Sequence, residues 1–362
     1  MLRALFVAPY PHEAASTRFR ATQYFPYLED HGVSCTVASL LSSRDFATFY
    51  KPGGRIRKAA RLFAGAAAQS LRALSASRFD VVFVQRGALL FGPPLLEWLM
   101  ARSSRTPLVF DIDDAIWLQA PVSAWGALAR ISKFPSKVSQ IIRMSRHVIA
   151  CNAYARDYAL TLCSPDQVTV IPTVVDADVF QPVRHPIGKV PVVGWIGTHS
   201  TSRYLDEVID PLREAAQRHK FILKIVGSGR EWSIPGVDVR TKAWSLADEV
   251  ADYQSLDVGL YPVRADEWGK GKSGFKPVVY MSCGATCIAS PVGGVTEFVR
   301  DGENGILATS AGDWSDALMR LLADERLRLR LGAAARQTIL DFYCLRVQAP
   351  RLLHVLEQAA AR

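Results

Sequence analysis

Two clusters in this 362-residue chain hold residue types whose spacing suits chemistry. The first is GKGKSGFKPVVYMSCGATCIASPVGGVT, residues 269–296, where glycines and lysines alternate ahead of a helix-like run. A helix N-terminus offers unbonded backbone N–H groups and a positive dipole end, which together hold anions. The expected helix starts at Ser273 or Gly274, runs through Phe275 and Pro277, and stops at Gly284, with Lys270, Lys272 and Lys276 near its start. A second start, capped by Thr296 beside Glu297, is expected after Pro291-Val292-Gly293-Gly294. The run Gly197-Thr198-His199-Ser200-Thr201-Ser202-Arg203 follows a strand-like segment and is a further candidate phosphate loop; Gly227-Ser228-Gly229 ends another strand. A diphosphate is the simplest anion for such a set. Ordinary βα loops with solvated lysines are the alternative.

The second cluster is Asp111-Ile112-Asp113-Asp114, at the end of a strand-like run. Like charges repel, so three carboxylates at one strand end call for partners. They could bind a metal, hold a cationic or hydroxyl-rich substrate, or supply a general base. Capping the next turn is the plain alternative for at least one. Arg86 ends a neighbouring strand-like run, and Arg18 and Arg20 lie in the first loop. The latter two either face a bound anion or form a solvated helix face.

The elements that must position these residues follow a βα rhythm. Residues 2–8 read as a strand, 19–29 as a helix and 33–39 as a strand, the entry to a doubly wound sheet whose ligands sit beyond the strands' carboxyl ends. Strands at 80–84, 107–110, 147–151 and 168–171 and a helix at 138–145 complete a first domain, 1–183. Residues 183–191 read as a linker. The rhythm restarts with strands at 192–196, 221–226, 257–262 and 285–290 and helices at 204–218 and 246–254, giving a second domain, 184–344. A final amphipathic helix is expected near 345–358.

Composition is globular, 49% hydrophobic and 21% charged, with a net charge of +9 and a pI near 9.3. That balance fits an acidic small substrate or an anionic membrane surface, and no nucleic-acid signature is present. Cysteines 35, 151, 163, 283, 287 and 344 form no CxxC pair and are expected as reduced thiols in a cytoplasmic protein. No apolar run approaches a membrane span, and the first strand is too short for a secretory signal. Residues 55–74 form an expected helix with Ile56, Ala60, Phe63, Ala67, Leu71 and Leu74 on one face and Arg57, Lys58, Arg61 and Arg72 opposite. Packing on the core with a wet basic face explains it; so does a helix lying on an anionic membrane.

Together these motifs resemble glycosyltransferase family 4, retaining enzymes of the GT-B fold. The likeness is carried by VTVIPTVVDADVF (168–180), Val193–Gly197, LKIVGSG (223–229) and MSCGATCIASPVGGVTEFVRDGENGIL (281–307), with PYP…STRFR and DIDDAIW matching a sub-branch. The resemblance implies an α/β protein of two Rossmann-like doubly wound domains facing a cleft. The second would hold a nucleotide-diphosphate sugar, the first an acceptor, with residues 345–362 crossing back to the first domain. It implies no cofactor and no obligatory metal, although Asp111-x-Asp113 matches the metal-binding DxD of another glycosyltransferase class. The family's Glu-x7-Glu pattern falls on Gly271 and Val279, so both glutamates are absent and valine cannot bond a ribose hydroxyl. Asp266 and Glu267 stand nearby as replacements.

On this reading Lys272, Lys276 and the N–H groups of Gly197–Ser200 stabilise the departing diphosphate. Asp113 or Asp114 orients or deprotonates the acceptor hydroxyl, with His199 as partner. Donor-binding residues are expected at Gly197, Thr198, His199, Ser200, Arg203, Gly227, Lys272, Ser273, Gly274, Phe275, Lys276, Gly293, Gly294 and Glu297, and acceptor-side residues at Arg18, Arg20, Arg86 and Asp111. The expected role is hexosyl transfer in cell-surface polysaccharide or glycolipid synthesis, at the inner membrane face. A natural-product glycosyltransferase, a non-catalytic nucleotide-sugar-binding or partner subunit, and a sugar-phosphate enzyme such as an epimerase are the alternatives.

Overall fold

Short strands that are apolar on both faces and alternate with helices must be covered on both sides, which is the economy of a parallel sheet. The computed structural model describes residues 1–49, 53–102, 106–118, 134, 136–183 and 189–361; residues 184–188 of the expected linker lie outside them. In chain order the elements are β1 (Leu2–Ala8), α1 (Ala15–Arg20), α2 (Phe25–Asp30), β2 (Val33–Ser39), α3 (Ser43–Phe49), α4 (Arg55–Leu74), β3 (Val81–Gln85), α5 (Leu95–Arg102), β4 (Leu108–Ile112), α6 (Lys137–Met144), β5 (His147–Ala150), α7 (Ala153–Leu160) and β6 (Val168–Val170). They continue with β7 (Val192–Ile196), α8 (Ile209–Arg218), β8 (Ile222–Val226), β9 (Asp238–Lys242), α9 (Glu249–Gln254), β10 (Val258–Tyr261), α10 (Glu267–Lys270), α11 (Phe275–Ser282), β11 (Thr286–Ala289), β12 (Ile306–Leu307), α12 (Ala311–Ala323), α13 (Glu325–Thr338) and α14 (Leu345–Ala360).

All strand pairings are parallel, in two sheets ordered β2-β1-β3-β4-β5-β6 and β12-β11-β10-β7-β8-β9. The order reverses between β1 and β3 in the first and between β7 and β10 in the second. Those switch points, beyond the strands' carboxyl ends, are where such sheets leave room for ligands.

The chain divides into one unit of Met1–Thr173 with Gln348–Arg362 and another of Val174–Val347. The division falls about ten residues before the expected one for a visible reason. Val174 and Val175 are fully buried, Val175 bridges to Cys344, and the Arg336 guanidinium donates to the carbonyls of Ala177 (2.7 Å), Phe180 (2.9 Å) and Ser282 (2.7 Å). The segment 174–180 is thus fastened into the second unit.

Two expected helices are interrupted. The 19–29 helix is broken into α1, a 3-10 turn and α2, with Pro26 at the start of α2, where its missing N–H costs no bond. Residues 202–208 are 3-10 helix, and α8 begins only at Ile209.

Arg20 and Asp111, both expected to face an acceptor, instead face each other inside the first unit. Their side chains are 2% and 0% exposed. Arg20 Nε donates to Asp111 Oδ2 at 3.0 Å, Nη2 reaches Oδ1, and Nη1 donates to the Ile171 carbonyl at 2.8 Å. Burial works against the guanidinium charge, yet the adjacent Asp111 carboxylate holds its pKa above the ordinary arginine range. The pair ties α1 to the ends of β4 and β6. Removing one member strands a buried charge, so Arg20→Ala should lose about 3–5 kcal/mol of unfolding free energy in urea titrations. A loss below about 1 kcal/mol, the scale of exposed pairs, would show that water reaches this site.

Candidate functional site

In the first unit the candidate residues gather where β3 and β4 end. The chain leaves β3 through Arg86, whose φ of 61° is rare for a residue with a Cβ, and Gly87, at φ 145°. Gly87 N–H donates to the Gln85 carbonyl at 2.7 Å and Arg86 N–H to that of Asp111 at 3.1 Å. This turn aims the Arg86 guanidinium at two carboxylates: Nε lies 2.5 Å from Asp113 Oδ1 and Nη2 3.1 Å from Asp114 Oδ2. Gln85 Nε2 donates to the other Asp113 oxygen at 3.0 Å. Burial opposes the Arg86 charge, while Asp113 and then Asp114 hold its pKa above the ordinary range. Behind the turn, the fully buried Glu97 accepts from Ala88 N–H at 2.8 Å, and Lys137 Nζ donates to the Leu89 carbonyl at 2.6 Å.

The repulsion anticipated among the three aspartates is therefore offset by two arginines. Asp113 is clamped on both oxygens and 6% exposed, whereas the Asp114 side chain is 19% exposed. Of the two candidate bases, Asp114 has the more accessible carboxylate. Arg18 donates to the Glu13 carbonyl at 3.2 Å and lies over the Phe19 ring.

In the second unit four loops meet at the carboxyl ends of β7, β8, β10 and β11. Gly197 and Gly227 touch back to back, since a Cβ on Gly227 (φ 77°) would collide with the Gly197 carbonyl oxygen. His199 packs its Cβ towards Gly229 in the same way and is exposed. Lys276, in the first turn of α11, passes its aliphatic stem beside Gly197 and places Nζ 3.2 Å from Thr201 Oγ1, 4.8 Å from the Trp195 ring centre and 5.8 Å from that of Tyr261. Thr198 and Ser200 hydroxyls lie 2.9 Å apart. Arg203, partly buried, keeps a buried Nε with no hydrogen-bond partner. Lys272 Nζ sits 5.0 Å from the Trp268 ring centre, and Gly294 N–H donates to the Lys272 carbonyl at 2.8 Å, joining the 269–274 loop to Gly293-Gly294. Gly274 is the N-cap position of α11 at φ 73°, where Ser273 was the other expected start.

Several expectations are corrected here. Gly197 N–H is already bonded to the Val226 carbonyl at 3.0 Å, completing the β7–β8 ladder, so it is not available to an anion. Thr296 caps no α-helix; residues 293–297 make a 3-10 turn in which its hydroxyl donates to the Gly293 carbonyl, and Glu297 is exposed. So short a turn has little dipole to offer. Val279 is fully buried on α11 and Gly271 is buried too. Asp266 is used as the N-cap of α10, accepting from Gly269 N–H at 2.7 Å, and Glu267 pairs with Lys270 at 2.5 Å. The sequence reading gave no role to Gln85, Trp195, Tyr261 or Tyr280. Tyr280 OH accepts from Ile196 N–H at 3.1 Å and fixes the end of β7.

Residues 190–324 match the family model described as Glycosyl transferases group 1. The second unit carries a glycosyl transferases group 1 domain. Among curated proteins, a D-inositol 3-phosphate glycosyltransferase of Xylanimonas cellulosilytica is 23% identical over 66% of this chain and 63% of its own length. A GDP-mannose-dependent alpha-(1-6)-phosphatidylinositol monomannoside mannosyltransferase of Mycolicibacterium smegmatis is 29% identical over 66% of each chain. The chain thus spans just under two thirds of the first of these relatives. Among solved structures, sucrose-phosphate synthase from Thermosynechococcus elongatus superposes with a TM-score of 0.69 at 16% identity over 99% of each chain. Anabaena HepE in complex with UDP and glucose does so at 0.68 and 14%, over 99% of this chain and all of that one. The fold is GT-B, two Rossmann-like parallel-sheet units.

Within the glycosyl transferases group 1 domain, the Gly197–Gly227 contact sets how closely the loops after β7 and β8 approach. Gly227→Ala adds a Cβ at positive φ against a carbonyl and should destabilise by roughly 1–3 kcal/mol in thermal melts. Gly312→Ala on α12, where the nearest atom to an added Cβ is 3.6 Å away, should fall within about 0.5 kcal/mol of the parent. Equal melting of the two variants would remove the close approach as a constraint.

Proposed function

We propose that this chain is a retaining glycosyltransferase. It moves a hexosyl group from a nucleotide-diphosphate sugar to a hydroxyl acceptor in cell-surface glycolipid or polysaccharide synthesis. The observation that carries the proposal is Lys276, held over Trp195 beside Thr201 at the switch point of the second sheet. A cation fixed there by aromatic faces needs no rearrangement to meet the charge that develops on a departing diphosphate. Lys272, Arg203 and the hydroxyls of Thr198 and Ser200 complete the donor side, with Gly274 and Phe275 opening α11 beside them.

On the acceptor side Asp114 receives or orients the hydroxyl and Asp113, clamped by Gln85 and Arg86, keeps its neighbour in place. The reaction uses neither metal nor further cofactor on this reading: the aspartates that would ligate a metal are occupied by arginines, and chelator should leave turnover unchanged. The two relatives above are named for transfer to inositol phosphate and to a phosphatidylinositol mannoside, which supports an acceptor carrying a polyol or lipid. The basic balance of the chain favours an anionic inner membrane surface as its place of work. No helix among the described residues is long and apolar enough to cross a membrane.

Loss of the carboxylates at Gly271 and Val279 favours one second reading, a binding subunit without turnover. Release of nucleoside diphosphate from a panel of nucleotide sugars separates the two. Lys276→Ala should weaken nucleotide-diphosphate binding roughly ten- to a hundredfold, the scale of one charge-assisted contact, and Lys272→Ala should do so to a similar degree, read by isothermal titration. Unchanged binding in both would remove this donor site. Asp114→Asn should collapse turnover while nucleotide binding persists; a parallel fall in both would move Asp114 to the donor side.

A further inference from the structure

The helices of the first unit are anchored by buried polar groups as well as by apolar ones. On α4 the stripe of Ile56, Phe63, Leu71 and Leu74 is exposed and not packed on the core, while the buried Gln69 donates to the Ala38 carbonyl at 2.9 Å. On α5 and α6, which pack against each other, the buried groups carry charge. Glu97 is fully buried in the first turn of α5, and Lys137, which opens α6, is 7% exposed. Charged side chains are almost never buried so deeply unless they are paired, and this pair is imperfect. Lys137 Nζ lies 4.0 Å from Glu97 Oε1, too far for a hydrogen bond. Glu97 Oε2 has no hydrogen-bond partner among the described residues. Burial pushes the Lys137 pKa down, and the Glu97 charge offsets part of that. Replacing a buried ion pair by apolar residues of similar volume is often neutral or stabilising, so stability alone does not account for this one.

What both charges reach is the turn that follows β3. Glu97 Oε1 accepts from Ala88 N–H at 2.8 Å, and Lys137 Nζ donates to the Leu89 carbonyl at 2.6 Å. A Cβ on Gly87 would lie 3.3 Å from Glu97 Oε1 and 3.4 Å from Lys137 Cε, so the two side chains close in on the glycine as well. The turn needs such holding. Arg86 keeps φ at 61°, a conformation that persists only where the surroundings over-determine it. The backbone bonds of Arg86 and Gly87 supply part of that restraint, and Glu97 and Lys137 grip the next two residues.

We propose that Glu97 and Lys137 are positioning residues for the acceptor-side carboxylates. By gripping Ala88 and Leu89 they lock the turn in the form that directs Arg86 to Asp113 and Asp114. The proposal rests on the reading of Asp114 as the group that receives the acceptor hydroxyl. Each residue acts through the turn and Arg86, and not on the acceptor itself.

The test compares two variants of the full chain. Glu97→Leu combined with Lys137→Met removes both grips without stranding a buried charge, and Glu97→Gln keeps an acceptor for Ala88 N–H. The readouts are a crystal structure of each and the release of nucleoside diphosphate from UDP-glucose and GDP-mannose, per folded molecule. In the double variant Arg86 should leave its φ of 61° and its guanidinium should part from Asp114. Its kcat should fall roughly a hundredfold, the scale of a misplacement of about 1 Å, with donor KM and UDP or GDP binding unchanged. Glu97→Gln should fall between the double variant and the parent, because a neutral acceptor replaces a charged one. Arg86 unmoved in the double variant overturns the proposal, as does a parent kcat in both variants or a loss that only follows the loss of folded protein. Should the double variant fail to fold, Glu97→Gln decides by itself, and a parent kcat there is the overturning result. A parent protein that releases no nucleoside diphosphate defeats the transferase reading instead, and the position of Arg86 in the crystal structures still decides this one.

Discussion

The first unit depends on how two arginines settle the carboxylates that end β4. A parallel sheet delivers the ends of its central strands to one rim, and here that rim receives Asp111, Asp113 and Asp114 within four residues. Unpaired, they would repel one another in a region of low water content. Arg20 neutralises the deepest and Arg86 spans the other two, so charge balance and strand register are fixed by the same contacts. The pairs differ in what they leave over. Asp111 is consumed by the fold, Asp113 by the clamp, and Asp114 retains some contact with solvent.

The second unit meets the opposite electrostatic problem, since its rim gathers cations. Aromatic rings supply the answer. Lys276 rests over Trp195 and Tyr261 and Lys272 over Trp268, so each ammonium lies against a ring face. Lys270 pairs with Glu267 and lies at the exposed side of the loop.

Much of this was legible in the chain. The βα rhythm, the restart near residue 192 and the glycine-lysine loop follow from local apolar pattern and turn chemistry, which act over a few residues. The Asp cluster and the arginines were visible as charges, but their pairing was not. Arg20 and Asp111 are 91 residues apart, and only the strand order brings them together. Periodicity likewise showed that α4 has two faces and was silent on which is packed. The deciding features were Gly65 and Gln69, residues that a hydrophobic count passes over: one lets the helix approach Leu40 and the other answers the Ala38 carbonyl.

The left-handed backbone of Arg86 has a consequence for how this protein tolerates change. Glycine at that position would relax the turn by roughly 1 kcal/mol, since only glycine adopts such a φ without penalty. Yet the same glycine would remove the cation that holds Asp113 and Asp114 side by side and leave the 6%-exposed Asp113 carboxylate without its ion pair, a loss larger than the gain in the turn. The strained backbone is therefore the conformation that the ion pairs hold in place, and a stabilising change at this position has to keep the charge.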